Sequence, residues 1–380
     1  MEYRKLGKTG MDVSVIGLGC EHLDRKPYGQ VKETIDAALA GGVNIIDVFM
    51  PGAEVRGNIA KALGGRRSGV LVQGHIGSTD LNQQYDISRD MPTVKKYFEG
   101  MLRLFGGYID LGMMFFIDSE EDYKNVFETG FVTYAEALKK QGDILHIGFS
   151  SHNPEMAIRA VETGVPEMMM FSINPAFDML PADAYIFDHI EKGFGAGLFR
   201  GVDPKRARLY KLCEQRQVGV TVMKALGSGK LLKKEFTPFQ APLSVAQCVS
   251  YALSRPAVCS ALVGCQTAGE VACALGYLAC GEAEKDYSAI INGIRNDFWG
   301  NCVYCNHCRP CPAGIDIAAV NKYLDVALLD ESAVPPSIRT HYRSLEKNGS
   351  DCVGCGSCEK RCPFGVPVSA NMAKAEGLLG

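Results

Sequence analysis

The chain of 380 residues contains a single Trp, and its formal net charge is only −3, from 40 basic and 43 acidic side chains. So near a balance gives no field to draw nucleic acid or an anionic membrane surface, and neither is expected as a partner. No apolar run approaches the roughly 20 residues a spanning helix needs, so no membrane segment is expected. No apolar signal core follows Met1-Glu2-Tyr3-Arg4-Lys5, and the expected location is the cytoplasm. Low-complexity tracts are absent, and no repeat stands out beyond an alternation of strand and helix patterns. Cysteine, by contrast, is plentiful at 15 residues. Seven of these (Cys20, Cys213, Cys248, Cys259, Cys265, Cys273 and Cys280) are scattered, mostly in apolar company. That suits buried free thiols in a reducing compartment better than a disulfide framework.

The other eight form two clusters near the C-terminus. The first reads Cys302-x2-Cys305-x2-Cys308-x2-Cys311-Pro312, and the second Cys352-x2-Cys355-x2-Cys358-x3-Cys362-Pro363. The second spacing is the bacterial ferredoxin run for a 4Fe–4S cluster, and the first is one residue shorter in its last gap. A tight turn supplies three thiolates to a cubane and a distant segment the fourth, which in two-cluster ferredoxins comes from the other motif. The expected sets are therefore Cys302, Cys305, Cys308 and Cys362 for one cluster, and Cys352, Cys355, Cys358 and Cys311 for the other. Two four-thiolate zinc sites are the competing reading. Paired x2-x2 triplets, each with a trailing Cys-Pro, favour iron–sulfur. Two such clusters mean one-electron traffic, and they suggest an anaerobic or microaerobic cell.

Upstream, short apolar runs alternate with amphipathic stretches. The runs cover residues 13–19, 44–49, 69–76, 108–116, 145–151, 167–174, 219–225 and 259–264. Helix patterns lie between them at 31–40, 53–63, 93–104, 125–140, 154–162, 205–217, 245–254 and 270–279. Near-continuous apolar strands each followed by a helix are parallel strands buried on both faces. Eight such units in about 270 residues predict an α/β fold, the (β/α)8 TIM barrel. Residues 1–12 are expected to form a hairpin plugging the barrel bottom. The expected domains are the barrel at 1–282, a linker helix at 283–298 and an α-helical ferredoxin-type domain at 299–380.

The opening Tyr3-Arg4-Lys5-Leu6-Gly7-Lys8-Thr9-Gly10 with Val13-Ser14-Val15-Ile16-Gly17-Leu18-Gly19 resembles the start of the aldo/keto reductases. Gly148, Ser150, His152 and Asn153 resemble that family's fifth-strand segment, and Met223-Lys224 with Gly227-x-Gly229 its seventh strand and cofactor loop. With the cysteine module, the chain resembles the branch fused to two 4Fe–4S clusters. The resemblance implies an Asp–Tyr–Lys–His tetrad beside NADPH, with Tyr protonating a carbonyl as hydride arrives at carbon. Asp47 matches the Asp. Gly52 stands at the Tyr position, His75 at the Lys, Phe115 at the His, and Met170 where a Gln would hold the nicotinamide.

Barrel active sites are built at strand C-termini. The groups there are Glu21 and His22, Asp47, His75, Asp118, His152 and Lys224. His75, Asp47, His22 and Lys224 are the candidate catalytic residues, with His75 as proton donor and Asp47 fixing its tautomer. Asp118 and Glu21 otherwise read as solvated loop acids, and Arg56, Arg66 and Arg67 as solvated charges. Three functions follow. The first is a redox enzyme whose clusters feed electrons to or from a small organic substrate. The second is an NAD(P)H-linked carbonyl reductase using Gly227, Ser228, Gly229 and Glu270 to hold the nucleotide. The third is a non-catalytic electron carrier or redox sensor. Ferredoxin or another redox protein is the expected macromolecular partner.

Overall fold

A computed structural model describes residues 1–81, 84–180, 202–291 and 300–380. Eight parallel strands close into a barrel: β3 (Ile16–Gly19), β4 (Ile45–Val48), β5 (Leu71–Ile76), β8 (Ile109–Met114), β9 (Ile144–Ser151), β10 (Met168–Ser172), β11 (Gly219–Met223) and β12 (Val258–Gly264). Each coincides with one of the eight expected runs. β12 pairs with β3 to close the ring, with Gly264 opposite Gly19. Ahead of it, β1 (Tyr3–Lys5) and β2 (Asp12–Ser14) form an antiparallel hairpin. Its Leu6 and Val13 are fully buried, and the Lys8 amide donates to the Gln217 carbonyl just before β11. The hairpin therefore plugs the end at which the strands begin, as expected.

The interior is layered. Leu6 and Val13 join Ile45, Leu111, Met113, Met168 and Leu262 in one apolar cluster. Alternation along β5 sends Leu71, Gln73 and His75 to the same inner face. Room for the methionines comes from glycine: a Cβ on Gly148 would lie 2.4 Å from Met168 Sδ and 2.5 Å from Met113 Sδ. The run of methionines is thus core filling, which their flexible thioethers suit.

Three local readings change. The helix expected over 125–140 is two helices, Glu120–Phe127 and Gly130–Gln141. Thr129 breaks it by capping the second, accepting from the Phe131 amide. Directly after β5 comes an unexpected hairpin, β6 (Ser78–Leu81) with β7 (Gln84–Ile87). Finally, Arg56 and Arg67 are not solvated. Arg56 is 2% exposed and donates to the Met50 and Tyr97 carbonyls; burial lowers it to about 10. Arg67 pairs with Asp110 at 2.9 Å. Among the described residues, no helix is long and apolar enough to cross a membrane. Much of the expected linker helix and of the long connection after the sixth barrel strand (residues 292–299 and 181–201) lies outside the described residues.

By compactness the chain falls into two units. One comprises Met1–Ile173, Gln217–Ala225 and Val258–Ala279, and holds the whole barrel sheet. The other comprises Asn174–Arg216, Leu226–Ala257 and Cys280–Gly380, and holds the eight clustered cysteines. In the second unit, helix Ile317–Ala327 packs on Val368–Leu379, Pro336–Arg343 and Pro204–Gln215. A buried carboxylate, Asp178, organises the helices nearby: Tyr210 and Tyr251 donate to it and Arg206 pairs with it at 3.3 Å. Burial raises Asp178 despite these donors.

Gly148→Val should destabilise the fold by about 1–3 kcal/mol, the usual cost of overpacking a filled core. Gly100→Ala, in the open interior of helix Met91–Leu104, should be neutral or stabilising by roughly 0.5–1 kcal/mol. Urea titrations of the two variants provide the check.

Candidate functional site

The barrel interior carries one continuous polar string. His75 Nε2 lies 2.8 Å from Asp47 Oδ1, and Gln73 Nε2 donates to the same oxygen at 2.7 Å. Gln73 Nε2 also lies 2.8 Å from Met170 Sδ, and its Oε1 accepts from Thr221 Oγ1 at 3.0 Å. All five side chains are buried, Gln73 and Thr221 completely and His75 to 1% exposure. They come from β4, β5, β10 and β11. Phe115 meets the His75 ring edge-on with centroids 5.1 Å apart, and Phe49 does so at 6.1 Å. Tyr85, on the hairpin after β5, packs on Phe49 at 5.3 Å. His75 Nδ1 has no hydrogen-bond partner among the described residues.

His75 and Asp47 are therefore brought together, but the other catalytic candidates are not part of that pair. His22 is exposed and lines an open pocket with Glu21, Asp24, Lys26, Met50, Tyr85 and Gln266. Its imidazole rests where a Cβ on Gly264 would stand, at 2.8 Å. Lys224 directly follows β11 in a left-handed conformation, with φ at 58°. Non-glycine residues hold such angles at a cost of about 1–3 kcal/mol, and they collect at functional sites. Gly227, Ser228 and Gly229 are all left-handed, and the Gly229 and Lys230 amides are spent on the Leu226 and Gly227 carbonyls. Glu270 caps helix Ala268–Leu275, accepting from the Gln266 amide at 2.7 Å.

Asp118 is not a solvated acid. It accepts from the His152 amide at 2.6 Å and from Ser151 Oγ at 3.0 Å, and pairs with His152 Nδ1 at 2.8 Å. Burial pushes its carboxyl up, yet the imidazole and these donors hold it below the ordinary 3.8.

The cysteine loops share one backbone design. Tyr304 and Asn306 in the first turn are left-handed, and so are Gly354 and Gly356 at the matching places in the second. Gly314 and Gly365, each three residues after a Cys-Pro cysteine, are left-handed too. The module thus repeats in backbone conformation as well as in cysteine spacing, although two of these three paired turn positions are filled by different residue types. Glycine takes these angles freely; Tyr304 does not. Tyr304 is held in place by its hydroxyl on Asp325 at 2.5 Å and by Arg255, 5.0 Å from its ring centroid. Arg255 also donates to the Val303 carbonyl, as does the Tyr287 hydroxyl at 2.9 Å.

The two motifs also cross. Cys311 lines one hollow together with Cys352, Cys355 and Cys358. The Cys302–Cys308 turn instead meets the segment around Cys362. Arg361 donates to the Cys308 carbonyl at 2.6 Å, and the Gly300 amide to the Phe364 carbonyl at 2.7 Å. Among the described residues, no three His, Cys, Asp or Glu side chains converge on a single-ion site. Burial raises the Cys305 thiol to about 11 and the Cys308 thiol to about 12, while Ser357 lowers Cys355.

Residues 15–247 match the aldo/keto reductase family model. The chain belongs to the aldo/keto reductase family. Residues 345–368 match a 4Fe-4S binding domain, so an iron–sulfur module is joined to the reductase barrel. Among curated proteins, the uncharacterized oxidoreductase YqkF of Bacillus subtilis is 28% identical over 190 residues, 48% of this chain and 59% of that protein. Two solved structures share the fold. Aldo-keto reductase AKR11C1 from Bacillus halodurans, in its holo form, has a TM-score of 0.57 at 19% identity, covering 75% of this chain and 94% of that one. PA4992 of Pseudomonas aeruginosa has a TM-score of 0.54 at 20% identity, with 73% and 96% covered.

Within this reductase barrel, the groups that sequence reasoning missed are Gln73, Thr221 and Tyr85. Gln73 had a signal: it lies two residues before His75 and so shares its face. Thr221 and Tyr85 had none, because one lies across the barrel and the other sits on an unexpected hairpin.

The Asp118 contacts give a pH prediction. An acid whose folded pKa is depressed contributes stability above its unfolded value, and that contribution is lost as pH falls through the folded one. Stability should therefore drop below about pH 3.8, and Asp118→Asn should flatten that drop. Urea midpoints between about pH 6 and about pH 3 measure it.

Proposed function

We propose that this chain is an iron–sulfur oxidoreductase in which two 4Fe–4S clusters serve a small organic substrate, a carbonyl compound or its alcohol, at the barrel mouth. One cluster is held by Cys302, Cys305, Cys308 and Cys362, the other by Cys352, Cys355, Cys358 and Cys311. The observation that carries this reading is the hollow shared by Cys311 and the second motif's first three cysteines. Four thiol donors around one largely apolar hollow fit a cubane, whose ligands stand around a cluster rather than one ion. The clusters supply single electrons; a ferredoxin or similar one-electron carrier is the matching external partner.

The barrel's own residues handle the proton. Reducing a carbonyl to an alcohol consumes two electrons and two protons, and one proton must reach the oxygen. His75 is the group proposed to move it, with Asp47 holding its ring. Phe49 and Phe115 seal the pair from water, which strengthens every electrostatic contact inside. His22, on the exposed rim, is where an arriving ligand first meets an imidazole.

The NAD(P)H-linked reading draws less support. The Gly229 amide and the Lys230 amide after it are occupied within the turn, and Glu270 is occupied in capping. The test between them is optical. Anaerobic protein should bleach at roughly 400 nm with dithionite and not with NADPH; bleaching by NADPH favours the pyridine-nucleotide reading.

Protein purified without oxygen should contain about eight iron and eight acid-labile sulfide per chain. Zinc as the main metal, or half that iron, would contradict the two-cluster assignment. Cys311→Ser should damage the cluster of Cys352, Cys355 and Cys358 and spare the other, as seen in spectra of the single-site variant. His75→Ala should lower turnover by roughly 10²–10⁴-fold with both clusters intact, the size of a general-acid contribution. Asp47→Asn should act in the same direction and less strongly. Full turnover in His75→Ala would move proton transfer to His22 or Lys224.

A further inference from the structure

Gln73 has no part in the proton-transfer scheme above, yet it is buried without any exposure in the middle of the barrel. An uncharged amide in that position must satisfy both its ends or cost stability. It does so in a directed way. Its Oε1 accepts from Thr221 Oγ1 at 3.0 Å, and its Nε2 reaches Asp47 Oδ1 at 2.7 Å and Met170 Sδ at 2.8 Å. The reverse orientation would set the amide oxygen against a carboxylate oxygen. Asp47 is therefore met by a donor and acts as an acceptor. An ionised carboxylate can only accept, so the His75 nitrogen 2.8 Å away must carry a hydrogen.

We infer that Gln73, keyed by Thr221, is a positioning residue that fixes the His75 tautomer: hydrogen on Nε2, lone pair on Nδ1. This rests on the reading of His75 as the proton-transfer group. It also identifies the working nitrogen. Nδ1 is buried and has no hydrogen-bond partner among the described residues, between rings that cannot supply one. Nδ1 is the ring nitrogen not committed to Asp47, and so the one a ligand would meet. To the neutral ring, that ligand must offer an O–H or N–H donor, as an alcohol does. A carbonyl fits only the ring protonated on Nδ1. Both are ends of the same proton transfer, so the geometry serves an alcohol–carbonyl pair and disfavours a ligand that is apolar where it meets His75.

The test needs no substrate. In the full chain labelled with 15N-histidine, long-range proton–nitrogen correlations distinguish the two tautomers, and His75→Gln assigns the signal. Wild type at neutral pH should show His75 as the Nε2–H form. Gln73→Leu and Thr221→Val should each lower the ratio of Nε2–H to Nδ1–H by roughly five- to tenfold, about one net hydrogen bond. Thr221→Ser, which keeps the hydroxyl, should restore the wild-type ratio. A purely structural Gln73 would lower the unfolding midpoint and leave the tautomer alone. A wild-type Nδ1–H signal, or an unchanged ratio in folded Thr221→Val, would overturn the inference. A wild-type Nδ1–H signal overturns the inference whether or not the variants fold. Loss of the proton-transfer reading would appear separately, as full turnover in His75→Ala beside an unaltered Nε2–H spectrum.

Discussion

A carboxylate inside a barrel is the constraint from which the upper half of the interior follows. Burying an ionised acid in an apolar core is costly unless donors surround it. Asp47 is 5% exposed, and one of its oxygens takes both the Gln73 amide and the His75 ring nitrogen. Those donors have needs of their own: Gln73 requires the Thr221 hydroxyl for its oxygen, and His75 is packed edge-on against Phe49 and Phe115. The polar layer can exist only because the layer below is apolar and full. Gly148 makes that fit possible by leaving space for Met113 and Met168. Polar top and apolar bottom thus depend on each other through residues that alternate along the same strands.

A second constraint acts on the cysteine unit. Its two motifs have matching turns, so each should in principle have the same surroundings. They do not. Val303 is 4% exposed beneath Arg255 and Tyr287, whereas the corresponding Val353 is 72% exposed. The covered turn is the one with Tyr304 in a left-handed conformation, and the open turn has Gly354 there. The strain and the cover belong together. A tyrosine at a glycine-like angle persists only where its ring and hydroxyl are held, and here Arg255 and Asp325 hold them. If clusters occupy both motifs, the covered one sits in lower dielectric, and burial is one of the levers that set cluster potentials.

The barrel was legible in the sequence because its signal is repeated eight times, and strands such as Met168–Ser172 read as continuous apolar runs. The pairing of His75 with Asp47 was legible too, since both stand near the ends of neighbouring strands. What failed was anything set by partners far apart in the chain. Arg56 and Asp118 look like solvated charges because a lone ionisable residue gives no hint of the carbonyls or amides that will meet it. Thr221 contacts Gln73 across 148 positions, and no local pattern announces that. The hairpin over 78–87 was hidden because it falls between a strand and a helix, where a loop was expected. The cysteine spacings repeat openly in the sequence, but the turn conformation they share was hidden for a different reason. Tyr304 and Asn306 replace glycines, so the shared conformation is written in angles and not in letters.

Proton and electron chemistry place opposite demands on a protein, and the proposed function assigns them to different units of this chain. Moving a proton requires an oriented donor with one committed nitrogen and a dry enclosure, and the residues proposed for that task, Asp47, Gln73 and His75, are hydrogen-bonded to one another within the barrel unit. Holding an iron–sulfur cluster requires thiolates on tight turns whose amides and carbonyls are fixed, which the crossed loops provide in the other. A hydride carrier delivers its electrons as a pair, so proton and electrons must be timed at one carbon. Single electrons relax that requirement, because the proton can be held ready on an imidazole until the second electron arrives. A histidine fixed by a buried carboxylate is better matched to that waiting role than an exposed acid, since its proton is shielded from exchange with water. On this argument, a sealed His75 and a one-electron module are complementary parts of the same proposed reaction.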